Sequence, residues 1–189
     1  MKRRKALQLS AGLIGGAMAM GSSALMFGCK TDAGDGWKPA FLDTDQVNLI
    51  AELAETIIPK TDTPGAKDAL VHRFIDSQLA GYMTKEDKTS FVEGLQGIDE
   101  LSKSIGGKGF VDADEGLRTQ VMDALVKDAD DHYAAKKQGP PTFDALVGLV
   151  KNAFFNSEVA AKEVMRYDPS PGEYIGCYPL EKVGALWSE

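Results

Sequence analysis

One stretch constrains the chain more than any other: Ile57-Ile58-Pro59-Lys60-Thr61-Asp62-Thr63-Pro64-Gly65-Ala66. An apolar helical pattern runs into it and another runs out. Pro59 has no N–H to donate, and its ring biases Ile58 away from helical dihedrals, so the first helix stops there. Thr63 is placed to cap a second helix whose first position is Pro64, where a missing N–H costs nothing. The pattern predicts a helix–corner–helix unit. That unit does not require Asp62 between two threonines. Asp62 is therefore a candidate for partner contact; the alternative is an Asx-type bond from its side chain to its own loop.

The rest of the chain supplies partners for those two helices. Asp43 and Gln46 have capping-box spacing at the start of the first helix. Val47, Ile50, Leu53, Ala54, Ile57 and Ile58 then recur at helical spacing, with Glu52 and Glu55 off the stripe. The second helix is expected from Pro64 to Leu79, with Leu70, Val71, Phe74, Ile75 and Leu79 on its apolar face. Thr84 starts a third helix, whose stripe is Phe91, Leu95, Ile98, Leu101 and Ile105. Gly94 and Gly97 inside it are candidates for close helix approach, and Gly106 with Gly107 ends it. Asp112 or Asp114 caps a fourth helix reaching toward Lys137, with Leu117, Val121, Met122, Leu125, Val126 and Ala129 facing inward. Thr142 caps a fifth that carries Phe143, Leu146, Val147, Val150 and Phe154. A short sixth is expected over residues 158–166, with Val159, Val164 and Met165 facing the core. No alternating strand run of useful length appears before the arm, which reads as extended and turn-containing as far as Leu186 and Trp187. The fold class is all-α: a bundle of five or six amphipathic helices with an irregular, Pro- and Tyr-rich C-terminal arm.

The chain before this bundle has a different character. Lys2, Arg3, Arg4 and Lys5 precede residues 11–28, which carry no charge and are rich in Gly, Ala and Met. This reads as an export signal over residues 1–28, followed by a linker over 29–40 and a single helical domain over 41–189. Arg3 and Arg4, with Leu7 beyond them, resemble a twin-arginine signal, although Ala6 stands where that signal usually has Phe. A Sec signal is the alternative. Residues 25–29 resemble a lipobox that ends at Cys29, the candidate lipidation site and membrane anchor. Ordinary cleavage after Ala24 is the alternative. Either route places the protein in the periplasm or cell envelope.

Charge excludes one class of partner. The chain has 21 basic and 28 acidic residues, and setting aside the four basic residues of the leader leaves a body of net charge −11. An acidic body without clustered Lys or Arg does not suit nucleic acid. The two cysteines are Cys29 and Cys177. If Cys29 is acylated, Cys177 is a single thiol, free or paired with another chain. Metal-ligand spacing and a c-type haem attachment site are both missing. His72 and His132 read as structural. Asp128, Asp130 and Asp131 near His132 read as a solvated helix face rather than an acid/base site, because nothing from elsewhere joins them. No catalytic, cofactor-binding or metal site is expected in this chain.

The arm offers more. Residues 167–180 contain three prolines, two glycines and three tyrosines in a segment that cannot be helical. Tyr167, Tyr174 and Trp187, with Cys177 between them, are candidates for partner binding, since amphipathic aromatics suit interfaces. The alternative is that the arm folds back on its own helices.

Two segments resemble a known family. The run at 57–66, followed by Val71 and the trio Phe74, Ile75 and Asp76, resembles the small subunit of gluconate 2-dehydrogenase, the subunit 3 family. Tyr167-Asp168-Pro169 with Pro171-Gly172, then Tyr174, Gly176-Cys177 and Pro179-Leu180, resembles that family's C-terminal motif. The resemblance covers residues 41–187. It implies a non-catalytic subunit of an exported dehydrogenase. The partner it implies is a flavoprotein of the glucose–methanol–choline type that holds FAD and oxidises a sugar, sugar acid or polyol. A cytochrome c subunit with haem c would accept the electrons. The small subunit would aid export, maturation or membrane attachment of the flavoprotein. Two rival readings are a free-standing periplasmic lipoprotein binding module and an enzyme using carboxylates near His132.

Overall fold

A computed structural model describes residues 36–188, apart from 138, 169, 171, 173–176 and 185. The expectations for the leader, for Arg3, Arg4 and Cys29, and for Tyr174 lie outside the described residues.

The chain order is α1 (Thr44–Ile57), α2 (Val71–Tyr82), α3 (Lys85–Gly106), a 3-10 turn (Phe110–Asp112), α4 (Glu115–Ala134), α5 (Thr142–Phe155), α6 (Glu158–Glu163), β1 (Met165–Tyr167), α7 (Leu180–Val183) and β2 (Leu186–Ser188). The fold is an all-α bundle, as the periodicity predicts. The capping box at α1 is present in both directions: Asp43 Oδ1 accepts from the Gln46 N–H at 2.8 Å, and Gln46 Oε1 accepts from the Asp43 N–H at 3.1 Å. Thr84 caps α3 and Asp114 caps α4 through their side chains. α1 contacts α2, α3, α5 and the 3-10 turn, and α5 contacts α1, α2, α3, α4 and α6, so these two helices hold the centre of the bundle. Ile50, Leu53, Val71, Ile75, Leu79, Leu95, Phe110, Val121, Leu146 and Val150 are fully buried.

Several boundaries differ from the sequence reading. The second helix begins at Val71, not Pro64, and Thr63 does not cap it. Residues 66–69 form a single turn that closes in the manner of a helix end. The Leu70 N–H reaches the Lys67 carbonyl, and the Val71 N–H reaches the Ala66 carbonyl five residues back. That closure puts Leu70 in the left-handed region, at φ 52°. Leu70 is consequently 43% exposed instead of facing the core. Glycine is the residue such a position favours. Leu70→Gly is expected to raise the unfolding free energy by about 1 kcal/mol, through relief of the left-handed penalty. Urea denaturation of the full chain measures this.

Val126 also departs from its expected inward position and is 49% exposed. α4 ends at Ala134, short of Lys137. Thr142 is the first residue of α5 rather than its cap, and Pro141 takes the cap position without a side-chain bond. Of the three glycines in α3, Gly94 lies against the Thr142 side chain and Gly106 against that of Leu117 in α4, whereas Gly97 faces open space. Close helix approach is therefore a property of Gly94 and Gly106, not of Gly97. α6 stops at Glu163, and Met165 and Arg166 pass into β1. β1 pairs with β2 in parallel, with Met165 opposite Leu186, Arg166 opposite Trp187 and Tyr167 opposite Ser188. β1 thus begins inside the span expected for the sixth helix, and strands of three residues leave no alternating pattern to read. They pair only because the arm carries β2 back beside β1.

Before α1, the backbone N–H groups of Ala40, Phe41 and Leu42 converge on one carboxylate, that of Asp76 in α2, at 2.6, 3.1 and 2.9 Å. Asp76 is 2% exposed. Among the described residues, three backbone donors and no basic side chain meet this carboxylate.

Candidate functional site

The corner between α1 and α2 is the chain's most specific feature, and its shape comes from acids on either side of it. Glu55, on the last turns of α1, accepts from two backbone donors across the corner. Its Oε1 takes the Lys60 N–H at 3.0 Å and its Oε2 takes the Lys67 N–H at 2.8 Å. Asp68 does the same from the far side, accepting from the Gly65 N–H at 3.1 Å and pairing with Lys60 Nζ at 3.0 Å. The Ala66 N–H returns to the Ile58 carbonyl at 3.0 Å, which ties the two arms directly. Gly65 sits where a Cβ would lie 2.5 Å from Glu55 Oε1 and 2.6 Å from the Lys60 nitrogen. The corner has room for no side chain there.

Glu52, one turn earlier, joins the corner to α4. It pairs with Lys67 Nζ at 2.6 Å and Arg118 Nη1 at 2.8 Å. Burial pushes the Glu52 carboxyl up, but the hydrogen bonds from Lys67 and Arg118 outweigh it and hold the group below its ordinary value. Arg118 also donates to the Ala113 and Val111 carbonyls and lies over the Phe110 ring. These contacts bind α1, the corner and α4 into one rigid frame.

Asp62 projects from that frame. Thr61 and Thr63 hold the loop tip: the Thr61 N–H meets the Thr63 carbonyl at 3.0 Å, and the Thr63 N–H meets Thr61 Oγ1 at 3.3 Å. Among the described residues Asp62 takes part in no hydrogen bond, so the Asx-type bond is replaced by the threonine pair. Asp62 lines an open cleft of about 340 Å³ with Lys60, Thr63, Asp68 and, from α6, Val159 and Glu163. α6 leads into β1 with one residue between them. The structure thereby brings the Asp62 loop beside the element that launches the arm.

In the arm, Tyr167 and Trp187 lie on the paired strands β1 and β2. Cys177 is an exposed free thiol, and Tyr178 next to it is 43% exposed. His132 is occupied structurally: its Nε2 meets the Gly139 carbonyl at 2.8 Å across the α4–α5 connection. Asp131 pairs with Lys127 of its own helix. No group of three or more His, Cys, Asp or Glu among the described residues is arranged to hold a metal ion. A wider cleft of about 550 Å³ opens between α1, α3 and the 3-10 turn, with Asp45, Glu100 and Asp112 in its lining. No described helix is long and apolar enough to cross a membrane.

Glu52, Glu55, Asp68 and Asp76 are the structural staples around the corner, whose roles sequence reasoning did not assign. A signal existed for three of them. Glu52 and Glu55 are three residues apart, on one helix face, in the turns that enter the corner. Asp76 lies three residues before Leu79 and next to Ile75, which puts a charge on the edge of the buried stripe.

His72, on the first turn of α2, has a lowered pKa because burial penalises its charged form and Arg73 and Lys67 add to that penalty. Above pH 6.5 the ring is neutral in both folded and unfolded chains. Below that value the unfolded chain takes up the proton first, so stability declines as pH falls from 6.5 toward the lower folded value. Denaturation curves collected across this window should show that slope, and His72→Gln should flatten it.

The fold and the corner define a small all-α domain organised by a stapled helix–corner–helix unit. Residues 44–172 match the family model described as gluconate 2-dehydrogenase subunit 3, a match that covers more than half of the chain. The protein belongs to the gluconate 2-dehydrogenase subunit 3 family, and it is an accessory subunit of a dehydrogenase complex. Asp62, Asp76 and Tyr167 fall inside the matched residues, whereas Tyr174, Cys177 and Trp187 fall beyond them. The match is thus shorter at both ends than the resemblance over 41–187. Neither a curated protein nor a solved structure matches the chain.

Proposed function

We propose that this chain is the exported small subunit of an FAD-dependent dehydrogenase of the glucose–methanol–choline type, acting on a sugar, sugar acid or polyol. It holds the flavoprotein at the cell envelope and assists its export and maturation. The flavin resides in the partner, and a cytochrome c subunit with haem c is the expected electron acceptor. The family match over residues 44–172 carries this reading. The leader supports it: Arg3 and Arg4 suit a twin-arginine signal, and Cys29 suits acylation that would tether the complex to a membrane face. The partner-facing groups in this reading are Asp62 at the corner, Tyr167, Tyr174 and Trp187 of the arm, and Cys177, whose exposed thiol is available for an interchain disulfide in an oxidising compartment.

The test is native co-purification. The tagged full chain, expressed in its own host, is expected to bring down a flavoprotein with bound FAD, in a membrane fraction. A chain isolated as a stable monomer without a flavoprotein overturns the proposal. On a non-reducing gel of the complex, a band that collapses on reduction would report the Cys177 disulfide.

A further inference from the structure

The contact between Asp76 and the segment before α1 is unusual in its economy. Residues 40–42 belong to no helix or strand. Their three consecutive N–H groups all reach a single carboxylate, and among the described residues those groups make no other hydrogen bond. The separation in sequence is 34 to 36 residues. Asp76 lies on α2, beyond the corner. The carboxylate can reach the segment only after α1 and α2 have been brought together by the Glu55 and Asp68 staples. Two side-chain contacts accompany it: Leu42 is buried, and Lys88 at the start of α3 places its ammonium 5.3 Å from the Phe41 ring centroid while donating to the Ala80 carbonyl.

We infer that residues 40–42 are a strap latched by Asp76, which closes only on the assembled corner and opens as a unit without unfolding the helices. Closed, it marks where the folded body begins, and movement of the chain upstream of Pro39 is not transmitted to α1. Open, it extends the upstream segment to Leu42, and the capping box at Asp43 becomes the new boundary. The latch stands independently of the proposed function. If Cys29 is acylated as proposed above, the closed latch also sets the tether: residues 30–39 span at most about 36 Å when extended, and an open strap lengthens that reach.

Hydrogen exchange of the full chain tests the latch. Asp76→Asn keeps one carbonyl oxygen but turns an N–H donor toward the strap. It is expected to speed exchange of the Ala40, Phe41 and Leu42 amides at least tenfold, until they exchange like the chain upstream of Pro39, with the α3 and α4 amides still protected. Chymotryptic cleavage after Phe41 should accelerate in parallel. Leu42→Ala, which leaves the carboxylate in place, should open the strap to a smaller degree and serves if the first variant fails to fold. Strap amides that stay protected in Asp76→Asn, or strap and helix amides that lose protection together in both variants, overturn the inference. Co-purification of the flavoprotein with the unaltered chain is read separately, so the latch and the subunit assignment fail independently.

Discussion

Asp76→Ala is expected to lower the unfolding free energy by about 3 kcal/mol, the largest effect of any single polar substitution in the chain. The carboxylate accepts from Ala40, Phe41 and Leu42. Without it, three backbone donors must find water or stay unsatisfied. A buried unsatisfied group costs roughly 1–3 kcal/mol, and the Leu42 N–H is the most deeply placed of the three. The loss is capped because the strap releases to solvent instead of remaining closed around missing partners. Released, it also exposes Leu42, now 5% exposed. The helices have their own core and should retain their circular dichroism. A midpoint in urea that does not move would show that the strap contributes nothing to the folded state.

The second large effect is at Gly65. Gly65→Ala places a methyl 2.5 Å from Glu55 Oε1 and 2.6 Å from the Lys60 nitrogen. A side chain alone could swing away, but the Lys60 nitrogen is backbone and is itself held by Glu55. The corner must therefore widen, and the Glu55 staple and the Ala66 N–H bond to Ile58 are strained together. The expected cost is about 2–3 kcal/mol, typical of overpacking at a site that cannot relax. Thermal unfolding should show a midpoint lowered by roughly 5–10 °C for a chain of this size. Glu55→Gln is the informative companion: it keeps the two acceptor directions in part, and it should cost less than Gly65→Ala. In the complex, both changes should weaken binding of the flavoprotein if the Asp62 loop is a contact, because they displace the loop without altering Asp62 itself.

The corner illustrates how far a sequence can be read. Pro59 ends α1 where covalent geometry says it must, since a missing N–H and a ring clash act on any chain. The start of α2 went the other way. Thr63 and Pro64 satisfy the local rules for a helix start, yet the helix begins at Val71. Local preference there is worth about 1 kcal/mol. The Glu55 and Asp68 contacts outweigh it, and they draw on residues up to 12 apart. Leu70 shows the same effect. Its apolar side chain fits the helical stripe, but the turn that precedes it demands a left-handed residue and turns it outward.

The candidate site divides in a similar way. Asp62 was legible because a polar residue stood at a place the corner did not need one. Its carboxylate lies on a cleft shared with α6, more than 90 residues away in the chain, which no local pattern relates to it. Cys177 was legible as a lone thiol beyond the last helix of the bundle, and its exposure follows. The pairing of the Tyr167 and Trp187 strands was not legible, because strands of three residues have no periodicity and their partnership depends on the path of the arm.

By itself the sequence determined the helices of the bundle and most of their buried faces, the breaks at Pro59 and Gly107, and the caps at Asp43 and Thr84. Each of these rests on interactions within a few residues, which the order of side chains specifies directly. Only the tertiary structure decided where α2 begins, why Gly65 is glycine, that Glu52 ties the corner to α4, and that Asp76 closes the strap. Those depend on charges whose partners are distant in sequence, and a buried carboxylate announces only that donors must come, not which backbone will bring them.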